Sequence, residues 1–214
     1  MFAKARSGAD IVSEIEQYGR QVYEDFRPYR VQVPLGESGP WKIWHREIMY
    51  DLAYLRFARD GRHPGLGTHT FLSHEERGTI MSDTAAEISD LLIALDKMQG
   101  GNVLVSGLGL GMAVHIMTKI PKYSDRVETI TVIEKDHDVI KLTGPFYEKS
   151  DARVKIIYAD AYKWEPPKGV VFDSAWHDIW DTGGWSGREE RAQLTRHFRG
   201  KVATGQQFVW GRNV

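Results

Sequence analysis

The 214-residue chain is longer than a usual domain yet short of two full ones, which predicts a single core with something added to it. Its 42% hydrophobic and 27% charged residues exclude general disorder, and the absence of cysteine excludes disulfide scaffolds, cysteine-ligated zinc and thiolate nucleophiles. A net charge of −1 supplies no long-range field for nucleic acid or an anionic membrane, so either partner would need a local basic patch.

Residues 1–6 lack the apolar stretch of a secretory signal, and with the missing cysteines this predicts a cytoplasmic protein. Ile11, Ile15, Tyr18 and Val22 recur at helical spacing and predict a helix over 10–25. Two alternating segments, 29–33 and 41–45, flank the turn signal Leu35-Gly36-Glu37-Ser38-Gly39-Pro40 and predict a small β appendage. The glycine-rich stretch 60–70 reads as an exposed loop leading to the main domain. His63, His69 and His74, in or near it, match no helix-borne ligand motif and read as loop histidines without a metal.

From Asp83 the pattern becomes regular. Ile88, Leu91, Leu92 and Leu95 fall on one helical face, and Thr84 with Glu87 has capping-box spacing at its start. A strand at 102–106, a glycine-rich turn, a helix at 112–120, a strand at 128–134 and a helix at 136–143 follow. Then come a strand at 153–158, a short helix near Ala161, a strand at 170–176, a helix at 187–198 and a strand at 206–210. The most apolar run, 103–120, is broken by glycines, His115 and Lys119, which assigns it to a core rather than a membrane. Strands alternating with helices predict a Rossmann-like α/β fold over 81–214, an open, mostly parallel, doubly wound sheet, with 1–80 as an N-terminal appendage. In such sheets ligands bind beyond the carboxyl ends of the strands.

Gly107-Leu108-Gly109-Leu110-Gly111 joins the first of these strands to its helix, where glycine lets backbone approach a ligand and the helix start favours an anionic group. Dinucleotide binders place a third glycine or alanine where this chain has Met112, so the turn satisfies a G-x-G-x-G form instead. The second strand ends in Glu134, a carboxylate able to accept from both hydroxyls of a ribose. The third ends in Tyr158-Ala159-Asp160-Ala161, whose aspartate is suited either to an adenine amino group or to a helix cap.

The stretch 101–178 resembles the S-adenosylmethionine-binding core of class I methyltransferases, and within that superfamily the spermidine-synthase-like branch. Val103-Leu104-Val105-Ser106-Gly107 lacks the acidic residue that many methyltransferases carry before the first glycine, a lack the polyamine synthases share. Val132-Ile133-Glu134-Lys135-Asp136 and Tyr158-Ala159-Asp160-Ala161 resemble that branch's ribose- and adenine-binding segments. Phe172-Asp173-Ser174-Ala175-Trp176-His177-Asp178 is similar to its fourth-strand pattern, in which the second aspartate is catalytic. The set Met81-Ser82-Asp83-Thr84, 107–112 and 176–180 also resembles small methyltransferase-like proteins of bacteriophages, which would place the chain in a host cytoplasm.

The resemblance implies S-adenosylmethionine as cofactor, held by Gly107, Leu108, Gly109, Gly111, Glu134, Lys135, Asp160 and Ala161. Asp83 then either holds the methionine amino group or caps the helix that follows it. Asp178 is placed to take a proton from the methyl acceptor, with His177 as the alternative base; neighbours on an extended chain point in opposite directions, so one of the two faces the ligand. Trp176, Trp180 and Trp185 either bound the acceptor or belong to the core, and Arg188, Arg191, Arg196, Arg199 and Lys201 read as a solvated basic face.

The departures from the family bear on the reaction. Leu110 stands where polyamine synthases carry an aspartate, the Asn/Asp-Pro-Pro-Tyr signature of amino-directed DNA methyltransferases is missing, and without cysteine no cytosine adduct can form. The expectation is methyl transfer to an unidentified acceptor, a small molecule or one of unknown kind, with aminopropyl transfer and a catalytically silent binding module as alternatives. Too little chain follows Trp180 for the hairpin that often completes such a sheet, so acceptor recognition falls to the appendage and the loop 181–188. The appendage either covers the site or makes a homodimer.

Overall fold

The computed structural model describes residues 8–50, 63–180 and 187–211, with side chains of the first helix from residue 12 onward. Helix α1 (Gly8–Asp25) leads into a short 3-10 turn, Arg27–Tyr29, and then an extended segment. The alternation over 29–33 is expressed as burial, with Val31 and Val33 in the core, but among the described residues no strand pairs with it. Four antiparallel strands follow in sequential order: β1 (Gly36–Ser38), β2 (Trp41–Ile48), β3 (Gly67–His74) and β4 (Gly78–Ser82).

The glycine-rich stretch is not an exposed loop where it is described. Gly67 through Thr70 belong to β3, and His69 is 1% exposed. Its glycines admit α1: a Cβ on Gly67 would overlap the Tyr23 ring, whose hydroxyl donates to the Thr68 carbonyl at 3.0 Å. The Arg30 guanidinium lies 3.3 Å over that ring. His69 sits edge-on to Tyr23 with Nε2 3.0 Å from the Gly65 carbonyl, while His74 packs edge-on against Trp41, so the histidines diverge into separate contacts.

Helix α2 (Ala85–Leu95) begins without the expected capping box. Thr84 occupies the N-cap with no side-chain bond to the helix, and Glu87 reaches back to β4, accepting from Ser82 N at 3.0 Å and Ser82 Oγ at 2.7 Å. Met81 and Ser82 are therefore strand residues, and the 80/81 division drawn from sequence falls inside β4.

The rest of the chain alternates strand and helix: β5 (Gly101–Ser106), α3 (Met112–Lys119), α4 (Pro121–Ser124), β6 (Val127–Glu134), α5 (His137–Ser150), β7 (Val154–Tyr158), β8 (Ser174–His177), α6 (Arg188–His197) and β9 (Gln207–Val209). The sheet order is β7-β6-β5-β8-β9, and every neighbouring pair is parallel. This is a Rossmann-like α/β sheet, with its order reversing at β5. Helix α5 runs past the expected end at 143, held at its start by Asp136 Oδ1, which accepts from Asp138 N and Val139 N. Ala161 lies in a turn rather than a helix, and residues 170–173 precede β8 instead of belonging to it.

Strand alternation divides the core between the two faces. Val103, Val105, Ile130, Val132 and Trp176 pack with side chains of α2, α3 and α5; Leu104, Ile133 and Ala175 pack with Leu194, Phe198 and Val202. Each large apolar side chain so buried contributes about 1.5–3 kcal/mol. The basic-helix reading holds for the exposed Arg188, Arg196 and Arg199 and fails for Arg191, which is 1% exposed, its Nε donating to the Trp210 carbonyl at 3.0 Å and its guanidinium 5.0 Å from the Trp180 ring. Among the described residues no helix is long and apolar enough to cross a membrane.

Candidate active site

A cavity of about 590 Å³ opens at the carboxyl ends of the parallel strands. That is the size of pocket that takes a cofactor or drug-sized ligand. Four successive strand ends line it: Gly107, Leu108 and Gly109 after β5, Glu134 and Lys135 at β6, Asp160 and Ala161 after β7, and Asp178 after β8.

The glycines of the turn make room for three different neighbours, and each has a positive φ. A Cβ on Gly107 would overlap the Asp178 carbonyl oxygen, on Gly109 it would lie 2.8 Å from Met81 Sδ, and on Gly111 it would overlap the Tyr147 ring. Gly111 therefore serves packing between α3 and α5, where Tyr147 donates its hydroxyl proton to the Leu110 carbonyl at 2.7 Å, and it does not line the cavity. Met112 and Ala113, in the first turn of α3, do line it, where a helix start has backbone N–H groups to offer.

Glu134 is 9% exposed and held by backbone. Its Oε2 accepts from Leu108 N and its Oε1 from Asp136 N, both at 2.8 Å. Burial raises its pKa, against the opposing effect of those N–H donors. Each oxygen retains a lone pair for a further donor. Asp160 Oδ1 accepts from Tyr162 N at 3.0 Å, so this carboxylate both shapes the turn and faces the cavity.

Asp178 and His177 separate as strand geometry requires. His177 is fully buried on the far face, its ring stacked on Phe198 at 5.3 Å, Nδ1 2.9 Å from Ser106 Oγ and Nε2 3.3 Å from Gln207 Oε1. Burial pushes it down to about 4, so it is neutral and does not line the cavity; the structure does not bring it to the site as a base. Asp178 does line the cavity, and burial, with the negative field of Glu87 next, raises it to about 7.

Asp83 is also directed elsewhere. It is 2% exposed, Oδ1 accepts from Thr70 N at 2.7 Å and lies 3.6 Å from His69 Nδ1, and it does not line the cavity. It ties the start of α2 to β3 instead of presenting a carboxylate to a ligand.

The antiparallel sheet supplies walls that the motifs did not announce: Trp41, Leu72, Arg77, Ile80 and Met81. Trp41 donates from Nε1 to Asp136 Oδ2 at 2.8 Å, Ser38 Oγ donates to Asp138 at 2.7 Å, and the Arg77 guanidinium lies 4.7 Å over the Trp41 ring. The alternation of 41–45 predicted a strand, but nothing local indicated which surface Trp41 would meet. Glu87, Tyr162, Trp180, Glu190 and Trp210 complete the other end. Trp185 and the rest of 181–186 lie outside the described residues.

No family model and no curated protein sequence matches the chain. Its fold is similar to several solved structures. The precorrin 8w decarboxylase of Methanobacterium thermoautotrophicum is 21% identical, with a TM-score of 0.39 covering 59% of this chain and 62% of that one. The precorrin-6y C5,15-methyltransferase of Geobacter metallireducens is 12% identical, with a TM-score of 0.40 and 62% of each chain covered. The cyclase SpnF is 15% identical, with a TM-score of 0.43 covering 97% of this chain and 62% of that one. The chain thus matches less than two thirds of the length of each, 62% in all three cases.

Proposed function

We propose that the chain is an S-adenosylmethionine-dependent methyltransferase acting on a small acceptor. The observation that supports this reading is the convergence of four successive strand ends on one cavity, with a glycine turn, two carboxylates able to take nucleoside donors, and a third carboxylate after β8. The groups present fit the cofactor. Glu134, fixed by two backbone N–H groups, would accept the ribose hydroxyls, and Asp160, on the same cavity, would accept from an adenine amino group. Gly107 and Gly109 keep that part of the cavity open to backbone approach.

The bound cofactor supplies a methyl group on a sulfonium, transferred by in-line displacement. The chain's own task is then alignment, exclusion of water and removal of one proton. Trp176, buried at 3% exposure, and Leu108 close the floor of the cavity. Asp178, raised to about 7, is poised to accept the acceptor's proton near neutral pH. His177 fills the space beneath β8 and holds Ser106 and Gln207.

Titration calorimetry with S-adenosylhomocysteine, decarboxylated S-adenosylmethionine and NAD tests the reading. S-adenosylhomocysteine is expected to bind and NAD to give no heat. Binding of the decarboxylated compound alone would replace methyl with aminopropyl transfer, and binding of neither sulfur nucleoside would overturn both.

A further inference from the structure

Carboxylates line both ends of the cavity, but among the described residues the cations that line it are confined to one, where Glu134, Asp136 and Asp160 accompany them. The cationic side chains that line it among the described residues, Arg77 and Lys135, stand at the β6 end, beside Trp41 and Asp136. Across β5 in the sheet order, the end formed by α2, β8, α6 and β9 is lined by three carboxylates, Glu87, Asp178 and Glu190, set among Trp176, Trp180 and Trp210. Among the described residues Arg191 lies close to this end: it packs against Trp180, outside the lining, with its Nε on the Trp210 carbonyl and its Nη1 beside Gly187, next to the Glu190 carboxylate. Glu87 is held toward this end by the Ser82 backbone and hydroxyl, while Glu190 sits exposed at the rim near Gly187.

From this we infer that the acceptor is an amine that enters as an ammonium ion on an apolar, ring-sized body, recognised by Glu87 and Glu190 and methylated on nitrogen. The inference rests on the methyltransferase reading and adds the substrate class. A charged, aromatic-walled recess with carboxylates on its rim favours a cation twice, by Coulomb attraction and by cation–π contact, and opposes phosphate or carboxylate acceptors. The chemistry balances without another reagent. The ammonium gives one proton to the Asp178 carboxylate; the freed nitrogen lone pair forms the N–C bond to the methyl group as the S–C bond breaks and its electron pair stays on sulfur. The products are an N-methylammonium, a neutral thioether and protonated Asp178, which returns its proton to solvent.

The test uses three probes of similar shape and different charge: 2-phenylethylamine, 2-phenylethanol and 3-phenylpropionate, each titrated into the full chain saturated with S-adenosylhomocysteine. The amine is expected to bind at least tenfold more tightly than either counterpart. Glu190→Gln and Glu87→Gln are each expected to weaken the amine at least fivefold and to leave S-adenosylhomocysteine affinity within twofold. Glu190 is exposed, so its variant keeps the test open if Glu87→Gln disturbs the Ser82 contact and fails to fold. Equal or tighter binding of the propionate, or an amine affinity unmoved by Glu190→Gln, overturns the inference while leaving the cofactor reading intact. Failure of S-adenosylhomocysteine to bind overturns the cofactor reading and the inference with it.

Discussion

The two sheets contribute to the cavity in different ways. The parallel sheet presents loop atoms at its strand ends, and its candidate ligand Glu134 is oriented by backbone N–H groups. The antiparallel sheet presents strand side chains, and it is fastened by two bonds that span 95 and 100 residues of sequence, Trp41 to Asp136 and Ser38 to Asp138. Candidate binding groups thus arise from a locally encoded βα pattern, and the second wall of the cavity arises from long-range docking. Variants in the first sheet should abolish binding or chemistry, whereas variants at the second should loosen the cavity by degrees.

The largest effect is expected at the junction of β5 and β8. Gly107→Ala forces a Cβ into the Asp178 carbonyl at φ 93°, which calls for displacement of one strand end or the other. Loss of about 3 kcal/mol or more in urea unfolding and loss of S-adenosylhomocysteine binding are expected; wild-type behaviour would show that the turn tolerates a side chain.

Asp178→Asn should lower methyl transfer by about 10²–10⁴-fold with nucleoside affinity nearly unchanged. In the wild type the rate should rise with pH through a midpoint of about 7 and level above it, because the base must be ionised; burial, then Glu87, Arg191 and Asp90, set that midpoint. Stability should run the other way. Below about pH 4 the carboxyl is protonated in both the folded and unfolded chain, and between about 4 and 7 the unfolded chain has lost a proton that the folded chain retains. Stability attributable to Asp178 therefore falls as pH rises through that window, and Asn removes the fall. At pH 8 the variant should melt higher, by about 2–4 °C for each kcal/mol relieved. A lower melting temperature with full activity would remove Asp178 as the base.

Trp41→Phe keeps the apolar wall and deletes the bond to Asp136, and should cost about 1 kcal/mol with a severalfold loss of nucleoside affinity. An unchanged affinity would show that the antiparallel sheet does not close the cofactor end. The smallest effect on turnover is expected from His177→Gln, because this side chain lies on the far face; it should lower the melting temperature and leave the pH midpoint of the rate in place. A shifted midpoint would restore His177 to the chemistry.

What was legible in the sequence follows the same division. Strands β5, β6 and β7, the turn at Gly107 and the acids at 134, 160 and 178 carry their signal in adjacent residues, since alternation, glycine and a terminal carboxylate are local features. The segregation of His177 from Asp178 was also legible, because it follows from the two-residue period of a strand. Asp83, His69 and Arg191 were not. Their burial depends on Thr70, Tyr23 and Trp210, partners supplied by other elements, and nothing local distinguishes a buried paired polar group from a solvated one. Glu87 carried a true signal with the wrong partner, binding Ser82 in β4 instead of closing a box with Thr84.

On the proposed function, the parallel strand ends hold a sulfur nucleoside through Glu134. S-adenosylhomocysteine titrated into wild type and Glu134→Ala, both checked for folded content, tests it most directly. Saturable binding to the wild type with at least a tenfold loss in the variant is predicted; no binding to the wild type, or equal affinity for both, would contradict it.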